Sequence, residues 1–506
     1  MLSPCIYAVF LAGILGTGLY HSLHGWSFSV GGPHEFRQAQ TAIASHYIAQ
    51  EGLTVATKIP VLGPDWIIPF EFPLYQNIVG TLHRLTGIPL EPCGRAVSLL
   101  AFYLSLLPLA ALLRRLQFGR DWTLMTLALV ASSPVYVFWS RTFLIESTAL
   151  LLALGFAASV LKLIDEPQGR HVLFCLLPGV AAALTKFTTF SIVFGFLVLW
   201  VFSLHLLHRD HRVFSPGVRT RLALVMAVPV FAGYGWSLYV SHIWGQSPLT
   251  QVFSETIHTW NFGTLEQRVS VQFWAQFIRY AVNTPASSFV PWLAGFVAFA
   301  FATFRWRVTA LCAFGAWISG PLVWANLFYV HDYYHYSTSL FGFMWMTASM
   351  IGVSERWPLL RFPVQAAVAA LCLALILTYR THHYYEATLI DRGHEKKAFA
   401  ASLGEVVPED DVVIILGDDW NPMISYYSMR KSIMIRWDDE TQGDAFNEAL
   451  RLSLDEGREI AGVVTTAYRP MPGDFDRLSR QLNLPETPTA ASAENTFQFY
   501  PSRATE

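Results

Sequence analysis

The strongest constraint on this chain is a succession of apolar stretches, most of them roughly 17–23 residues long, the length a helix needs to cross about 30 Å of hydrocarbon. They lie near 5–22, 94–113, 122–140, 143–163, 171–185, 187–207, 221–242, 286–304, 308–328, 336–353 and 363–379. The pattern predicts a polytopic α-helical membrane protein with about eleven transmembrane helices. Composition agrees: 14% of residues are charged and 53% hydrophobic, against about 25% charged in soluble domains. The net charge of −2 leaves no electrostatic footprint for nucleic acid. The five cysteines are scattered, with neither metal-ligand spacing nor a disulfide framework. The run from Cys5 to His21 lacks a basic leader and a small-residue cleavage site, which predicts a retained first span and not a signal peptide.

Charge sets the orientation. The segment "PLYQNIVGTLHRLTG", 73–87, loses its apolar character at His83 and Arg84. It is too short to span and reads as an amphipathic helix at the membrane interface. With it outside the bilayer and the N-terminus inside, the basic loops at Arg114–Arg120, Lys162–Arg170, Arg209–Arg221, Arg305–Arg307 and Arg356–Arg361 all face the cytoplasm, as the positive-inside rule requires. The outer side then receives a long first loop (about 23–93), a middle loop (about 243–285) and everything after about 380. That last part alternates strand-like and helix-like patterns, from "DDVVIILGDDWNPMISYYSMRKSIMIRW" to "TFQFYP". The predicted organisation is a membrane domain, 1–380, followed by a small extracytoplasmic α/β domain, 381–506. The α/β domain has no glycine-rich phosphate loop after its first strand. A surface turn is one reading of its "GDDWNP" (Gly417–Pro422), a ligand-binding loop another.

Ionisable residues in or beside membrane helices are costly and are functional candidates by default. Glu146 lies early in "WSRTFLIESTALLLALGF", five residues after Arg141, and Lys186 interrupts "AAALTKFTTFSIVFG". His331, Asp332, Tyr333 and Tyr334 open "HDYYHY", and the first loop adds His34, Glu35, Arg37, Gln38 and Gln40 in "HEFRQAQ" and Glu71 in "PFEFPLYQ". The predicted topology brings all of them to the outer membrane face. Three carboxylates and three cations there suit chemistry on an anionic lipid headgroup, a carboxylate taking a proton and cations stabilising a departing phosphate. Each group also has a plain structural reading: a solvated pair for Glu35 and Arg37, an Arg141–Glu146 interface pair, a snorkelling Lys186, and an aromatic belt for His331 and the tyrosines.

These motifs resemble those of the GT-C glycosyltransferase superfamily, in the branch of protein O-mannosyltransferases and lipid A aminoarabinose transferases. "GGPHEFRQAQTA" is similar to the first external acidic motif, with His34-Glu35 where the family carries Asp-Glu. "PFEFPLYQ" resembles the proline-rich start of the interfacial helix, "SRTFLIESTALL" the Arg-then-acid motif with Glu146 for the commoner Asp, "AAALTKFTT" the "LTK" segment, and "HDYYHYS" a late external motif. The resemblance covers about residues 5–380. It implies transfer of a sugar from a polyprenyl-phosphate-linked donor to a glycan, lipid or protein acceptor, with inversion, at the outer face of a bacterial inner membrane. It further implies catalytic roles for Glu35, Glu71 and Glu146. Arg141, Lys186 and Arg37 would bind the donor phosphate, and His34, Gln38, Gln40, His331, Asp332, Tyr333 and Tyr334 the substrate. With the first acid replaced by His34, the base stays open between Glu35 and Glu71, and a divalent metal ion remains an expectation with His34 and Glu35 or Glu146 as its ligands. A transporter or flippase of lipid-linked sugars is the alternative, although the paired broken helices usual in transporters are missing from the pattern.

Overall fold

The computed structural model describes residues 4–206, 215–438 and 443–502. Arg209 and Arg212, in one of the basic loops assigned to the cytoplasm, lie outside the described residues. Each predicted apolar stretch contains a helix: Pro4–Ser22, Leu90–Arg115, Arg120–Ser132, Glu146–Asp165, Gly169–Thr185, Phe187–Leu206, Pro216–Trp244, Val290–Phe301, Phe304–Val323, His335–Arg356 and Arg361–Thr378. Among the described residues, six helical stretches are long and apolar enough to cross a membrane alone, and a seventh candidate is Val271–Ala286 joined to Val290–Phe301 across a bend of 91°. The protein is an integral membrane protein built mainly of helices.

Two sequence expectations change in detail, and a third holds. The stretch 122–140 is not one helix: it stops at Ser132 and restarts as Pro134–Trp139. Ser133 sits in an extended conformation (ψ 132°), because the ring of Pro134 disfavours a helical residue before it. The middle region expected as a loop, about 243–285, is largely helical, with Pro248–Phe262, Leu265–Val269 and Val271–Phe277. The last two have side-chain caps readable in the sequence: Thr264 Oγ1 accepts from the Gln267 amide and Ser270 Oγ from the Phe273 amide, each at 3.1 Å. The segment 73–87 forms the expected short amphipathic helix, Leu74–Thr86.

The chain divides into two compact units. The first comprises Met1–Trp26, Arg95–Trp236 and His258–Leu389, the second Ser27–Gly94, Ser237–Ile257 and Ile390–Glu506. In the first, helices pack through small residues and aromatic stacks. Trp292 lies on Trp317 with ring centroids 4.5 Å apart. A Cβ on Gly352 would fall 2.6 Å from that of Ala302, so only glycine permits this helix approach. On outward faces Leu100, Leu104 and Leu107 are exposed together, as are Leu173, Phe174 and Leu177. Recurring at helical spacing, they form apolar stripes suited to lipid, not to water.

The second unit is built on a five-stranded sheet: β1 (Val412–Leu416), β2 (Lys431–Ile435), β3 (Ile460–Thr466), β4 (Ala490–Ala491) and β5 (Phe497–Pro501), in the order β2-β1-β3-β5-β4. β1 runs parallel to β2 and β3, and β5 antiparallel to β3 and β4. All five residues of β1, Val-Val-Ile-Ile-Leu, are buried, as expected for a strand covered on both faces. Successive parallel strands leave β1 in opposite directions, so the loop after it, 417–422, lies at the switch point where open α/β sheets bind ligands.

This unit is not made of C-terminal residues alone, which differs from the sequence-based boundary at 380/381. The chain at Pro60–Leu62 runs along the outer edge of β2. The Ser432 and Met434 amides donate to the carbonyls of Pro60 and Val61, each at 3.0 Å, and Leu62 forms a bridge with Ile433. Trp66 joins the sheet's hydrophobic core with Ile433, Ile435, Phe446 and Leu450. A bare strand edge invites wrong pairing, and here a piece of the chain between the first two apolar stretches closes it. Trp66→Ala should cost about 3–5 kcal/mol and raise hydrogen exchange at the Ser432 and Met434 amides well above that of β1. Equal exchange in variant and wild type would reject this role for the segment.

Candidate active site

The helix Glu35–Glu51 carries the first predicted motif. The residue before it, His34, has left-handed backbone angles (φ 52°, ψ 42°). Asn, Asp and His enter that region more readily than other non-glycine residues, so His34 suits the backbone turn at this position. Gln38 is buried and donates to the Pro33 carbonyl at 3.0 Å, bracing the turn into the helix. Arg37 Nη2 donates to both carboxylate oxygens of Glu71. Its Nη1 donates to Gln40 Oε1 at 2.6 Å, and the guanidinium lies over the Phe70 ring at 5.5 Å. Arg37, Gln40 and Glu71 thus form one knot. The helix crosses Leu74–Thr86 closely at Gly80, where a Cβ would come 2.6 Å from the Ser45 carbonyl oxygen.

Glu35 belongs to a different cluster. Its Oε1 accepts from Lys396 Nζ at 2.9 Å and from Asn421 Nδ2 at 2.6 Å. Lys396 also contacts Asp418 at 2.7–2.8 Å and sits 5.4 Å from the Phe497 ring centroid. Both Asp418 and Asn421 come from "GDDWNP", the loop at the switch point. The Lys396 side chain is only 6% exposed and that of Glu35 31%. Burial pushes the Asp418 carboxyl up to about 6, although Lys396 beside it pulls the other way. For Lys396, burial favours the neutral amine, but Asp418 and then Glu35 outweigh it and hold the amine above its ordinary value.

Sequence reading missed Lys396, since "HEKK" looks like a solvated helix start. A signal was present: Lys396, Phe399, Ala400 and Leu403 are the buried residues of the helix His394–Val406, and their i, i+3, i+4, i+7 spacing marks an inward face.

The first unit holds the other candidates. Glu146 opens the helix Glu146–Asp165, and Lys186 stands in an extended conformation between Gly169–Thr185 and Phe187–Leu206. The two form an ion pair with each side chain only 2% exposed. Lys186 Nζ also lies 4.1 Å from the Tyr334 ring centroid and 5.1 Å from that of Tyr333, a box of one carboxylate and two aromatic faces around a cation. Asp332 Oδ2 accepts from the Tyr384 hydroxyl at 2.6 Å, and that hydroxyl accepts from Trp139 Nε1 at 3.0 Å. His331 lies against Tyr333, Tyr334 and Trp260. Arg141 is placed apart from Glu146, which pairs with Lys186. Arg141 donates to the carbonyls of Ser22, His24 and Gly25 at 2.7, 2.5 and 3.0 Å, tying down the chain after the first helix.

No family model matches the sequence, and no curated protein matches it. Solved structures do. ArnT from Cupriavidus metallidurans bound to undecaprenyl phosphate aligns over 100% of this chain and 99% of its own, with a TM-score of 0.63 and 15% identity. The chain shares the fold of this structure, in line with the resemblance to GT-C glycosyltransferases. The archaeal oligosaccharyltransferase AglB from Archaeoglobus fulgidus, in complex with an inhibitory peptide and a dolichol-phosphate, aligns over 91% of this chain and 69% of its own (TM-score 0.57, 11% identity). The mycobacterial arabinofuranosyltransferase AftD aligns over 98% of this chain but only 37% of its own (TM-score 0.54, 15% identity).

Within the GT-C fold, the six charged candidates divide between the units: Arg141, Glu146 and Lys186 in the first, Glu35, Arg37 and Glu71 in the second. Among the described residues no three His, Cys, Asp or Glu side chains are placed to hold a metal ion. The partners of Glu35 are an ammonium and an amide. This donor set does not fit a divalent cation.

The Asp418 shift gives a pH test. Its folded value, about 6, lies above the ordinary 3.8, so the fold favours the protonated carboxyl. The stability it contributes is complete below about pH 4 and lost as pH rises through 6. Asp418→Asn is neutral at every pH. Its melting temperature relative to wild type should therefore climb between pH 4 and 6.5 and then level off, by the equivalent of about 3 kcal/mol at most. A difference independent of pH in detergent-solubilised protein would contradict the shift.

Proposed function

We propose that this protein is an inverting glycosyltransferase that moves a hexose or pentose from a polyprenyl-phosphate-linked donor to a hydroxyl of an extracytoplasmic glycan, lipid or protein, with Glu35 as the base. In this reading about eleven spans cross a bacterial inner membrane, the N-terminus is cytoplasmic and the α/β part extracytoplasmic. The fold supports it, as do the lipid phosphates named with ArnT and AglB, undecaprenyl phosphate and dolichol-phosphate.

One observation carries the choice of base. Glu71 has both oxygens on Arg37, and Glu146 is enclosed with Lys186. Only Glu35 combines partial exposure with a single anchored oxygen: both its hydrogen bonds end on Oε1, and Oε2 accepts none among the described residues. That free oxygen takes the acceptor hydroxyl's proton as the acceptor oxygen bonds to the anomeric carbon. The bond from that carbon to the phosphate oxygen breaks in the same displacement, its electron pair leaving with polyprenyl phosphate. The leaving group is already a weak base, so it needs charge stabilisation more than a proton. Lys186, held by Glu146 and two tyrosine rings, is assigned that task. Arg141 acts through the backbone it ties down, and Arg37 through the Gln40–Glu71 knot.

Purified protein given radiolabelled polyprenyl-phosphate sugars and membrane extract should release polyprenyl phosphate. Glu35→Gln should lower that rate by about 10²–10⁴ with donor binding retained. Near-normal release by Glu35→Gln would reject the base. Labelled lipid crossing a vesicle bilayer with no donor consumed would replace the enzyme reading with transport.

A further inference from the structure

We infer that Lys396 is a positioning residue for the transfer reaction: with Asn421 it fixes one oxygen of Glu35 so that the other is aimed at the acceptor, making the C-terminal α/β part a component of the reaction machinery. The inference rests on the reading of Glu35 as the base. It starts from an arrangement that a structural tether alone does not require. Asp418 suffices as the partner that a buried lysine needs, through two contacts of 2.7–2.8 Å. Yet the same ammonium reaches a second carboxylate, Glu35, on a separate segment, and Asn421 converges on the same Oε1 at 2.6 Å. Two donors on one oxygen lock the side chain's torsions and leave the second oxygen as the reactive one, a geometry that supports catalysis by orientation.

The loop that supplies Asp418 and Asn421 lies at the sheet's switch point, so a rigid parallel sheet sets its position. Its first residue, Gly417, has φ 80°, which fits glycine best. The cluster carries two carboxylates on one ammonium, a net negative charge. Other titratable groups within electrostatic range are Asp419, Glu395 and Tyr468, with His34 and Arg37 flanking Glu35 in its own segment.

The test uses full-length protein in detergent with a radiolabelled polyprenyl-phosphate sugar that wild type consumes. Lys396→Met combined with Asp418→Asn removes the ammonium without stranding its buried partner, and Asn421→Ala removes the hydrogen bond to Glu35, with the one Asn421 accepts from the Met423 amide, and leaves the ion pair intact. The double variant should lose kcat by tenfold or more and keep KM for the donor within about twofold. Asn421→Ala should lower kcat several-fold with a similar KM. In a Glu35→Gln background neither change should lower the residual rate further.

A lowered melting temperature with kcat unchanged, while Glu35→Gln is inactive, would overturn the positioning role and leave the base in place. Should the double variant fail to fold, unchanged kcat in Asn421→Ala overturns the role by itself. Near-normal transfer by Glu35→Gln removes the base, and this inference with it.

Discussion

Two backbone hydrogen bonds, from Ser432 and Met434 to the carbonyls of Pro60 and Val61, join parts of the chain some 370 residues apart in sequence. Much of the second unit depends on that joining. It covers the edge of β2, brings Trp66 into the sheet's core, and makes the segment 27–94 part of the same unit as the C-terminal strands. The helix that bears Glu35 belongs to that unit, as do Lys396 and Asn421. The physical requirement beneath this is ordinary: buried or edge backbone amides must find acceptors.

Pairing also separates three carboxylates that look equivalent as letters. Glu71 is bound through both oxygens by Arg37, Glu146 is enclosed with Lys186 between tyrosine faces, and Glu35 is held by one oxygen only. A base needs a free lone pair and access. A charge that tunes a buried cation needs neither, and breaking such a buried pair typically costs about 3–5 kcal/mol. Arg141 teaches the same point about cations, since hydrogen bonds to three carbonyls give it architectural work whatever its charge does for a phosphate.

The fold was legible where a local rule wrote it. Hydrocarbon thickness fixes the length of an apolar helix, and each predicted stretch holds one. The first three strands of the sheet and the helices between them, with β5, follow from alternating and helical patterns in "DDVVIILGDDWNP" and the segments after it. Even the break at Ser133–Pro134 and the caps at Thr264 and Ser270 were readable in hindsight from proline and capping chemistry. What stayed hidden was pairing at long sequence range. Nothing local in "ATKIPVLGPDWII" announces that it seals a strand 370 positions later, and nothing in "HEFRQ" names Lys396. The candidate residues stand out in the sequence as chemical types, but their partners came only with the fold. Lys396 is the instructive case: its inward spacing with Phe399 and Leu403 is written in the sequence, while its partners Asp418 and Glu35 are not.

The central claim is a single displacement in which Glu35 deprotonates the acceptor as the lipid phosphate departs. Its most direct test is the anomeric configuration of the transferred sugar, read by NMR from product made with a donor of known configuration. The account requires inversion. Retention would mean an intermediate between enzyme and sugar, and would contradict the role given to Glu35.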